Sequence, residues 1–231
     1  MSIWREREHE WEEREMVMDA ASLMALRRCG LLKYARLELM RGQEDLLRWL
    51  IQQWDERHHV FQIGGNELAI EKDDVYFLTD LSCRGARPNL TGSRDDPRST
   101  TDLIHAHCIR GTQAVSNRIP ITQVTLRPLR SILWMIVRLA GAKSQHVATK
   151  AQMLLALDYM QPQVFHWCDG VVRRVRAELT ACKTRTQREF GYGTLLVSFI
   201  LERIPLMRPR IATAPLGPRE PRQARWATLL P

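Results

Sequence analysis

The stretch FQIGGNELAIEKDDVYFLTDL, Phe61–Leu81, decides what kind of fold this chain can have. Its glycine pair, Gly64 and Gly65, has two interpretations: a phosphate-binding loop, or a turn between two strands. A phosphate-binding loop needs a helix directly behind its glycines. Here apolar residues alternate on both sides of the pair, as they do in strands. Because glycine tolerates the positive φ of a tight hairpin, we predict a β-hairpin that turns at this pair.

A short helix is expected directly after the hairpin. The segment begins with three acidic residues, Glu71, Asp73 and Asp74. Carboxylates in a first turn face the partial positive end of a helix and stabilise it by about 0.3–1 kcal/mol each. Val75 and Leu78 recur at helical spacing, and the run from Ser82 to Gly85 predicts the break that ends the segment.

Helical periodicity dominates the rest of the chain. The segment QEDLLRWLIQQWDERHHVF, Gln43–Phe61, is the clearest amphipathic helix, with Leu50 and Trp54 on its apolar face. Further helix-sized apolar segments follow as far as residue 204. The fold class expected is therefore mainly α, a helical domain with one small β-hairpin element and a disordered C-terminal tail.

The predicted domain organisation has three parts. Residues 1–18 are highly charged with helical spacing, which predicts an N-terminal helical extension. Residues 19–210 form the helical domain, and within it the Gly-, Pro- and Ser-rich stretch 84–102 predicts a mobile loop. Residues 211–231 contain four prolines and little periodicity, which predicts the disordered tail.

Composition indicates a soluble intracellular protein. The 231 residues are 45% hydrophobic and 26% charged, and no apolar run approaches the roughly 20 residues of a membrane span. The first residues lack the apolar centre of a secretory signal. Five widely spaced cysteines without a CxxC motif are typical of reduced thiols. They are Cys29, Cys83, Cys108, Cys168 and Cys182.

The charge is distributed unevenly along the chain. Residues 1–80 hold 11 basic and 17 acidic side chains, a balance of −6, whereas residues 81–231 hold 23 and 9, a balance of +14. Such asymmetry indicates that the later part of the chain contacts an acidic partner, of which nucleic acid is the commonest. Of the 34 basic residues 29 are arginine, whose planar fork suits phosphate, although GC-rich coding would give the same composition.

The segment VVRRVRAELTACKTRTQR, Val171–Arg188, is the candidate surface for that partner. Val171, Val175 and Leu179 share one helix face, and basic residues follow the other, where they could track a phosphate backbone. No aromatic side chains interleave to stack bases, so a solvated helix face is the competing interpretation. The candidate contact residues are Arg173, Arg174, Arg176, Lys183, Arg185 and Arg188.

No motif indicates a reactive centre. His105, His107 and Cys108 form an HxHC cluster, but zinc sites usually combine two separated ligand pairs. The chain has no GxSxG elbow, and none of its lysines resembles the buried amine that pyridoxal phosphate requires. We expect no catalytic residues, no cofactor, no metal and no small-molecule substrate.

Two blocks of the chain carry a resemblance to a known family. The early block is CGLLKYARL followed by DLLRWLIQQWDERHHVFQIGGNELAIEKDDVYFLTDLSCRGARPNLTG, and the late block is FHWCDGVVRRVRAEL followed by FGYGTLLVSFILERIPLMRPR. In order and pattern, about residues 19–210 resemble the plant mobile domain, also called the aminotransferase-like plant mobile domain. The positions that match are Trp54, Phe61, Gly65, Glu67, Asp74, Val75, Leu78, Gly85, Trp167, Glu202, Arg203 and Pro205. The chain departs from the pattern at Asp80, where glycine is usual, and at Asp169.

The resemblance implies a non-enzymatic, nuclear interaction module of transposon-derived type. It implies roles in transposon biology, in gene silencing and expression, and in meristem maintenance, without aminotransferase activity. It also implies protein partners, among them phosphatases of the phosphoprotein-phosphatase type. Nucleic acid remains a second class of partner because of the basic charge balance of residues 81–231. Two alternatives stay open: a metal-dependent nucleic-acid-processing enzyme, as a remnant of a transposase system, and a degenerate fragment without function.

Overall fold

The structure, a computed structural model, describes residues 19–35, 37, 44–88, 96–140, 146–160, 165–184, 191–207 and 221–229. The helices in chain order are α1 (Ala20–Arg28), α2 (Leu32–Ala35), α3 (Glu44–Gln53), α4 (Lys72–Thr79), α5 (Thr100–His107), α6 (Arg127–Leu139), α7 (Lys150–Tyr159), α8 (Trp167–Lys183) and α9 (Gly193–Arg203). The strands are β1 (Trp54–Asp55), β2 (Val60–Ile63), β3 (Asn66–Leu68), β4 (Ile119–Pro120) and β5 (Val147–Ala148), and short 3₁₀ helices span Ile121–Gln123, Pro205–Met207 and Arg222–Leu229. The expected mainly α fold class is confirmed.

The predicted hairpin is confirmed. Strands β2 and β3 pair antiparallel, with Ile63 opposite Asn66, so Gly64 and Gly65 alone form the loop. Both glycines have positive φ, 57° and 77°, as a two-residue turn of type I′ requires. Strand β1 pairs with the other edge of β2, so Trp54 lies in a strand, one residue beyond the helix predicted to contain it.

The predicted helix after the hairpin is also confirmed. Helix α4 starts at Lys72, and the Glu71 backbone N–H donates to Asp74 Oδ2 at 2.9 Å, which satisfies a group that the helix itself leaves unpaired. The helix ends at Asp80, which adopts the left-handed conformation with a φ of 58° and donates its N–H to the Tyr76 carbonyl at 2.7 Å. That geometry usually belongs to glycine.

The chain forms two compact units where the sequence predicted one domain. The first unit comprises residues 1–36 and 84–166, and the second comprises residues 37–83 and 167–231. The chain therefore leaves the second unit after Cys83 and returns to it at Trp167. The predicted extension 1–18 lies outside the described residues.

The first unit is built around α6, which packs against α1 and α7. Ten of the 13 residues of α6 are buried, among them Leu133 and Ile136, although the helix carries a polar stripe of Arg127, Arg130 and Arg138. A second small sheet, β4 paired with β5, was not predicted because each strand has only two residues.

Helix α5 begins inside the predicted mobile loop 84–102. Ser99 Oγ accepts from the Asp102 N–H at 3.1 Å, and Asp102 Oδ2 accepts from the Ser99 N–H at 2.7 Å. This reciprocal capping box fixes the start of α5 at Thr100, so the end of the stretch is helical. Residues 89–95 of the predicted loop lie outside the described residues.

The second unit packs α4 against α8, α9 and the 3₁₀ helix Arg222–Leu229. An aromatic chain runs through its core: the Trp54 and Phe61 ring centroids lie 5.0 Å apart, and those of Phe61 and Phe199 lie 6.2 Å apart. All three side chains are almost fully buried. Such burial stabilises the unit by a few kcal/mol for each aromatic ring.

The structure differs from the predicted disordered tail at its described end. Residues Arg222–Leu229 form a 3₁₀ helix, and Trp226 is only 2% exposed. Trp226 packs with Val197 and Leu201 of α9, so burial of the indole holds this stretch in place. Residues 211–220 of the predicted tail lie outside the described residues.

Among the described residues, none of the helices has the combination of length and hydropathy that crossing a bilayer requires.

Candidate functional site

The predicted basic helix is α8, and its apolar face lies where the sequence placed it. Val171, Val175 and Leu179 are buried in the second unit. The face predicted to be solvated also makes internal contacts, because Thr180 Oγ1 accepts a hydrogen bond from Trp54 Nε1 at 3.1 Å. Helix α8 therefore contacts its own unit on more than one side.

Two of the candidate arginines pair with acids one turn away on the same helix. Arg173 Nη2 lies 2.8 Å from Asp169 Oδ2, and Arg174 Nη2 lies 3.2 Å from Glu178 Oε1. Only 1% of the Glu178 side chain is exposed, so the guanidinium of Arg174 offsets a buried carboxylate.

The other two described candidates bind backbone of the second unit. Arg176 Nη2 donates to the Ile70 carbonyl at 2.9 Å and to Glu71 Oε1 at 2.7 Å. Lys183 Nζ donates to the carbonyls of Gln52 and Trp54. All four described cations are thus engaged within the chain, which leaves less charge for phosphates. Arg185 and Arg188 lie outside the described residues, and nucleic-acid binding by this helix stays a prediction.

The residues that carry the family resemblance divide into several groups. Most of the large apolar ones are core residues of the second unit: Trp54, Phe61, Val75, Leu78 and Trp167. Gly65 is in the hairpin turn, and the exposed Glu67 accepts from Gln62 Nε2 at 3.0 Å. Gly85 belongs to the first unit, and Pro205 starts an exposed 3₁₀ turn. The remaining three, Asp74, Glu202 and Arg203, line one groove.

This groove, called the α4–α9 groove below, is the candidate functional site. It lies within the second unit, between α4, α9 and the 3₁₀ helix Arg222–Leu229, and has a volume of about 260 Å³. Its lining residues are Asp74, Phe77, Leu78, Phe199, Glu202, Arg203 and Arg222.

Two carboxylates form the inner part of the groove, and each accepts from donors of another element. Asp74 Oδ1 accepts from Arg203 Nε at 2.9 Å, and Glu202 Oε1 accepts from the Trp226 indole N–H at 3.1 Å. Arg225 Nη1 lies 3.4 Å from Glu202 Oε1. Both acids are largely buried, with 8% and 11% of their side chains exposed, so these contacts compensate for lost hydration.

The outer part of the groove is cationic and aromatic. The side chain of Arg203 is 50% exposed and that of Arg222 is 52% exposed. The guanidinium carbon of Arg222 lies 5.2 Å from the centroid of the Phe77 ring, and the Phe77 side chain is 52% exposed. The rings of Phe77 and Tyr76 pack edge to face, with their centroids 5.4 Å apart. Because the anions lie inside and the cations outside, an approaching molecule meets positive charge beside apolar rings.

Burial governs the thiols and the histidine that the sequence singled out. It raises the pKa of the Cys29 thiol to about 12 and also raises the pKa of Cys108, so both are protonated at neutral pH. Burial lowers the pKa of His107, while His105 is exposed. Among the described residues, no three His, Cys, Asp or Glu side chains are grouped as ligands for a metal ion.

Sequence reasoning missed Tyr76, Phe77, Arg222 and Trp226 as members or neighbours of this site. A signal for the first two was present: Val75 and Leu78 define the buried face of α4, so the two aromatic residues between them must lie largely outside it. Arg222 and Trp226 were assigned to a disordered tail.

The chain matches no protein-family model, no curated protein and no solved structure. The family resemblance therefore stays a prediction carried by the residues quoted above.

Proposed function

We propose that this chain is a non-catalytic interaction module of the nuclear, transposon-derived type. In this proposal the α4–α9 groove binds an acidic segment of a protein partner. The observation that carries the proposal is the pair of half-exposed arginines that line the groove, Arg203 and Arg222, while the groove's own acids lie inside. Arg222 lies against the exposed Phe77 ring. The charge balance of residues 81–231 and the resemblance of residues 19–210 support the same conclusion.

The groove fits a peptide better than an isolated anion. Arginine forks bind carboxylates in two-point geometry, while the Tyr76–Phe77 pair offers apolar surface next to them. A segment with one or more carboxylates next to an apolar side chain would satisfy both features. Aromatic residues and arginine are also the side chains enriched in protein-binding patches. A phosphoprotein phosphatase, implied by the resemblance, is the partner class that we propose to test first.

The groove favours protein over nucleic acid as the partner. Nucleic-acid binding rests on many cations along a phosphate track. The four described cations of α8 instead contact acids and carbonyls of their own unit. Arg203 and Arg222 also pair with acids of their own unit, Asp74 and Glu202, but Arg222 lies against the exposed Phe77 ring. A few cations next to an apolar ring suit a short protein segment more closely than a phosphate track.

A binding experiment with two classes of variant tests the proposal. The purified chain would be immobilised, incubated with nuclease-treated plant nuclear extract, and then titrated with synthetic peptides copied from acidic segments of any captured protein. Arg222→Glu and Phe77→Ser should each weaken peptide binding at least about tenfold, since each removes a principal contact. Arg57→Glu is the matched control, because Arg57 is an exposed arginine of the same unit outside the groove.

Three outcomes distinguish the proposal from its rivals. Binding that survives nuclease, weakens with salt and is lost only in the groove variants supports it. Capture that disappears after nuclease treatment assigns the partner to nucleic acid. Peptide affinity that falls equally in Arg57→Glu and Arg222→Glu shows that net charge, and not the groove, determines binding.

A further inference from the structure

Two thiols lie together where the chain passes between its two units. Cys83 is the last residue of the second unit before the chain enters the first, and Cys168 follows directly after Trp167, where the chain returns. Both cysteines belong to the second unit. They were classified from the sequence only as widely spaced, reduced cysteines, since no CxxC motif connects them.

Backbone contacts fix the position of Cys168 against the segment that ends in Cys83. The Cys168 N–H donates to the Ser82 carbonyl at 3.2 Å, and Cys168 Sγ donates to the Leu81 carbonyl at 3.1 Å. Cys83 directly follows Ser82, so these two contacts hold the Cys168 backbone and thiol against the segment that ends in Cys83. A disulfide requires the sulfurs to approach to about 2 Å, a movement that side-chain rotation supplies when the two backbone segments already lie side by side.

The two thiols differ in their access to solvent. Cys83 is partly exposed, and its Sγ lies 3.7 Å from the Lys72 carbonyl. Cys168 is buried, and this burial, together with the neighbouring Cys83 thiol, raises the pKa of Cys168. An oxidant that arrives from solvent therefore meets Cys83 first, with Cys168 positioned behind it.

We propose that Cys83 and Cys168 form a reversible disulfide when the protein meets a hydroperoxide such as hydrogen peroxide. In the first step the Cys83 sulfur attacks a peroxide oxygen, the O–O bond breaks, and the products are a sulfenic acid and water. In the second step the Cys168 sulfur attacks the Cys83 sulfur, the S–O bond breaks, and a second water leaves with the thiol proton. In total two thiols and one hydrogen peroxide give one disulfide and two waters, and a dithiol reductant reverses the reaction.

The disulfide would tie together the two ends of the segment 84–166. Both exits from the second unit would then be covalently joined, which restricts the unfolded chain and raises the melting temperature of the oxidised protein. The inference is independent of the proposed function, since neither cysteine lines the α4–α9 groove.

Mass spectrometry of the full-length chain tests the proposal directly. The protein is treated with hydrogen peroxide, the remaining thiols are blocked, and the protein is digested without reductant. The expected result is a cross-linked peptide pair containing Cys83 and Cys168, which a dithiol reductant abolishes. In Cys168→Ser the sulfenic acid of Cys83 should persist and react with dimedone, while in Cys83→Ser the buried Cys168 should remain reduced.

Cys182 provides an internal control, because it is a partly exposed cysteine on the same helix as Cys168. Peroxide should oxidise Cys182 without placing it in an intramolecular disulfide. Overoxidation of Cys83 in the wild-type protein without any cross-link to Cys168 would overturn the proposal. Cross-links distributed among all five cysteines would overturn it as well, because they would indicate unfolding instead of a prepared pair. These two contrary outcomes are both measured on the wild-type chain, so neither depends on whether a cysteine variant folds.

Discussion

Arg203 and Asp74 are 129 residues apart in the sequence, yet Arg203 Nε donates to Asp74 Oδ1 at 2.9 Å. The second oxygen of Asp74 accepts from the Glu71 N–H at 2.9 Å and so stabilises the start of α4. One buried carboxylate thus serves both the local helix cap and the long-range contact between α4 and α9. The guanidinium carbon of Arg203 also lies 6.0 Å from the centroid of the Phe199 ring, and half of the Arg203 side chain stays exposed.

Loss of Arg203 should destabilise the protein more than neutralisation of Asp74. Arg203→Met leaves a buried carboxylate without its guanidinium and should cost about 2 kcal/mol of unfolding free energy. Asp74→Asn removes the charge but keeps an oxygen for the Glu71 N–H, and should cost about 1 kcal/mol. The measurement is urea denaturation of both single variants and the double variant. We expect a coupling energy of about 1 kcal/mol between the two substitutions. If their effects on the free energy of unfolding instead add to within about 0.3 kcal/mol, Arg203 and Asp74 do not stabilise each other.

Two arginines of α8 should differ in their effect on stability, because Arg176 contacts backbone distant in sequence whereas Arg173 pairs with an acid one turn away. Arg176→Ala removes donors from the Ile70 carbonyl and from Glu71, and should lower the free energy of unfolding by about 1–1.5 kcal/mol. Arg173→Ala removes the more exposed partner, 56% accessible, of an ion pair within one helix, and should cost less than Arg176→Ala, about 0.5 kcal/mol.

Chemical denaturation of the two arginine variants, each measured at low and at high salt, checks this order. If both substitutions leave the free energy of unfolding almost unchanged, both arginine side chains are available to an external partner. That result would restore the nucleic-acid interpretation of the helix.

Trp226 should be a principal anchor of the C-terminal 3₁₀ helix. Its indole is buried against Val197 and Leu201 and donates to Glu202, so Trp226→Ala should cost about 3 kcal/mol. The variant should also be cleaved near its C-terminus by low concentrations of trypsin. Leu206→Ala is the control, since Leu206 is 97% exposed and its truncation should change stability by less than about 0.5 kcal/mol. If wild type and Trp226→Ala resist trypsin equally well, Trp226 does not hold the C-terminal 3₁₀ helix in place.

Local rules predicted the elements whose signals lie within a few residues. The Gly64–Gly65 turn follows from conformational freedom at two positions, and α4 follows from its acidic first turn and apolar spacing. The apolar face of α8 was also correct. In each case neighbours along the chain supply the information, and the rest of the fold only has to agree with it.

Long-range relationships could not be predicted in this way. The face of α8 called solvated has Thr180 bound to Trp54, because a donor 126 residues away is brought beside it by packing. The groove combines α4, α9 and a segment whose proline content indicated disorder. Burial of the Trp226 side chain stabilises this segment despite its proline content, since the free energy gained from the buried apolar area offsets the entropy lost when the short helix becomes ordered. The division into two units likewise depends on contacts between segments distant in sequence.

Replacement of Asp80 by glycine should stabilise the protein. Asp80 ends α4 with a φ of 58°, a left-handed conformation that costs a residue with a side chain roughly 1 kcal/mol relative to glycine. Asp80 also places a negative charge at the C-terminal end of α4, where the helix dipole disfavours it. Asp80→Gly should therefore raise the free energy of unfolding by about 0.5–1 kcal/mol, even after allowance for the greater freedom of glycine in the unfolded chain.

Two further substitutions at the same position separate the backbone effect from the charge effect. Asp80→Asn removes the charge but retains a side chain that tolerates the left-handed region, so it should lie between wild type and the glycine variant. Asp80→Ala removes the charge but tolerates this φ poorly, so it should be less stable than wild type. Thermal melting of the four proteins should give the order Gly, Asn, Asp, Ala. If the alanine variant instead melts with the glycine variant, the helix dipole and not the backbone conformation governs stability at the end of α4.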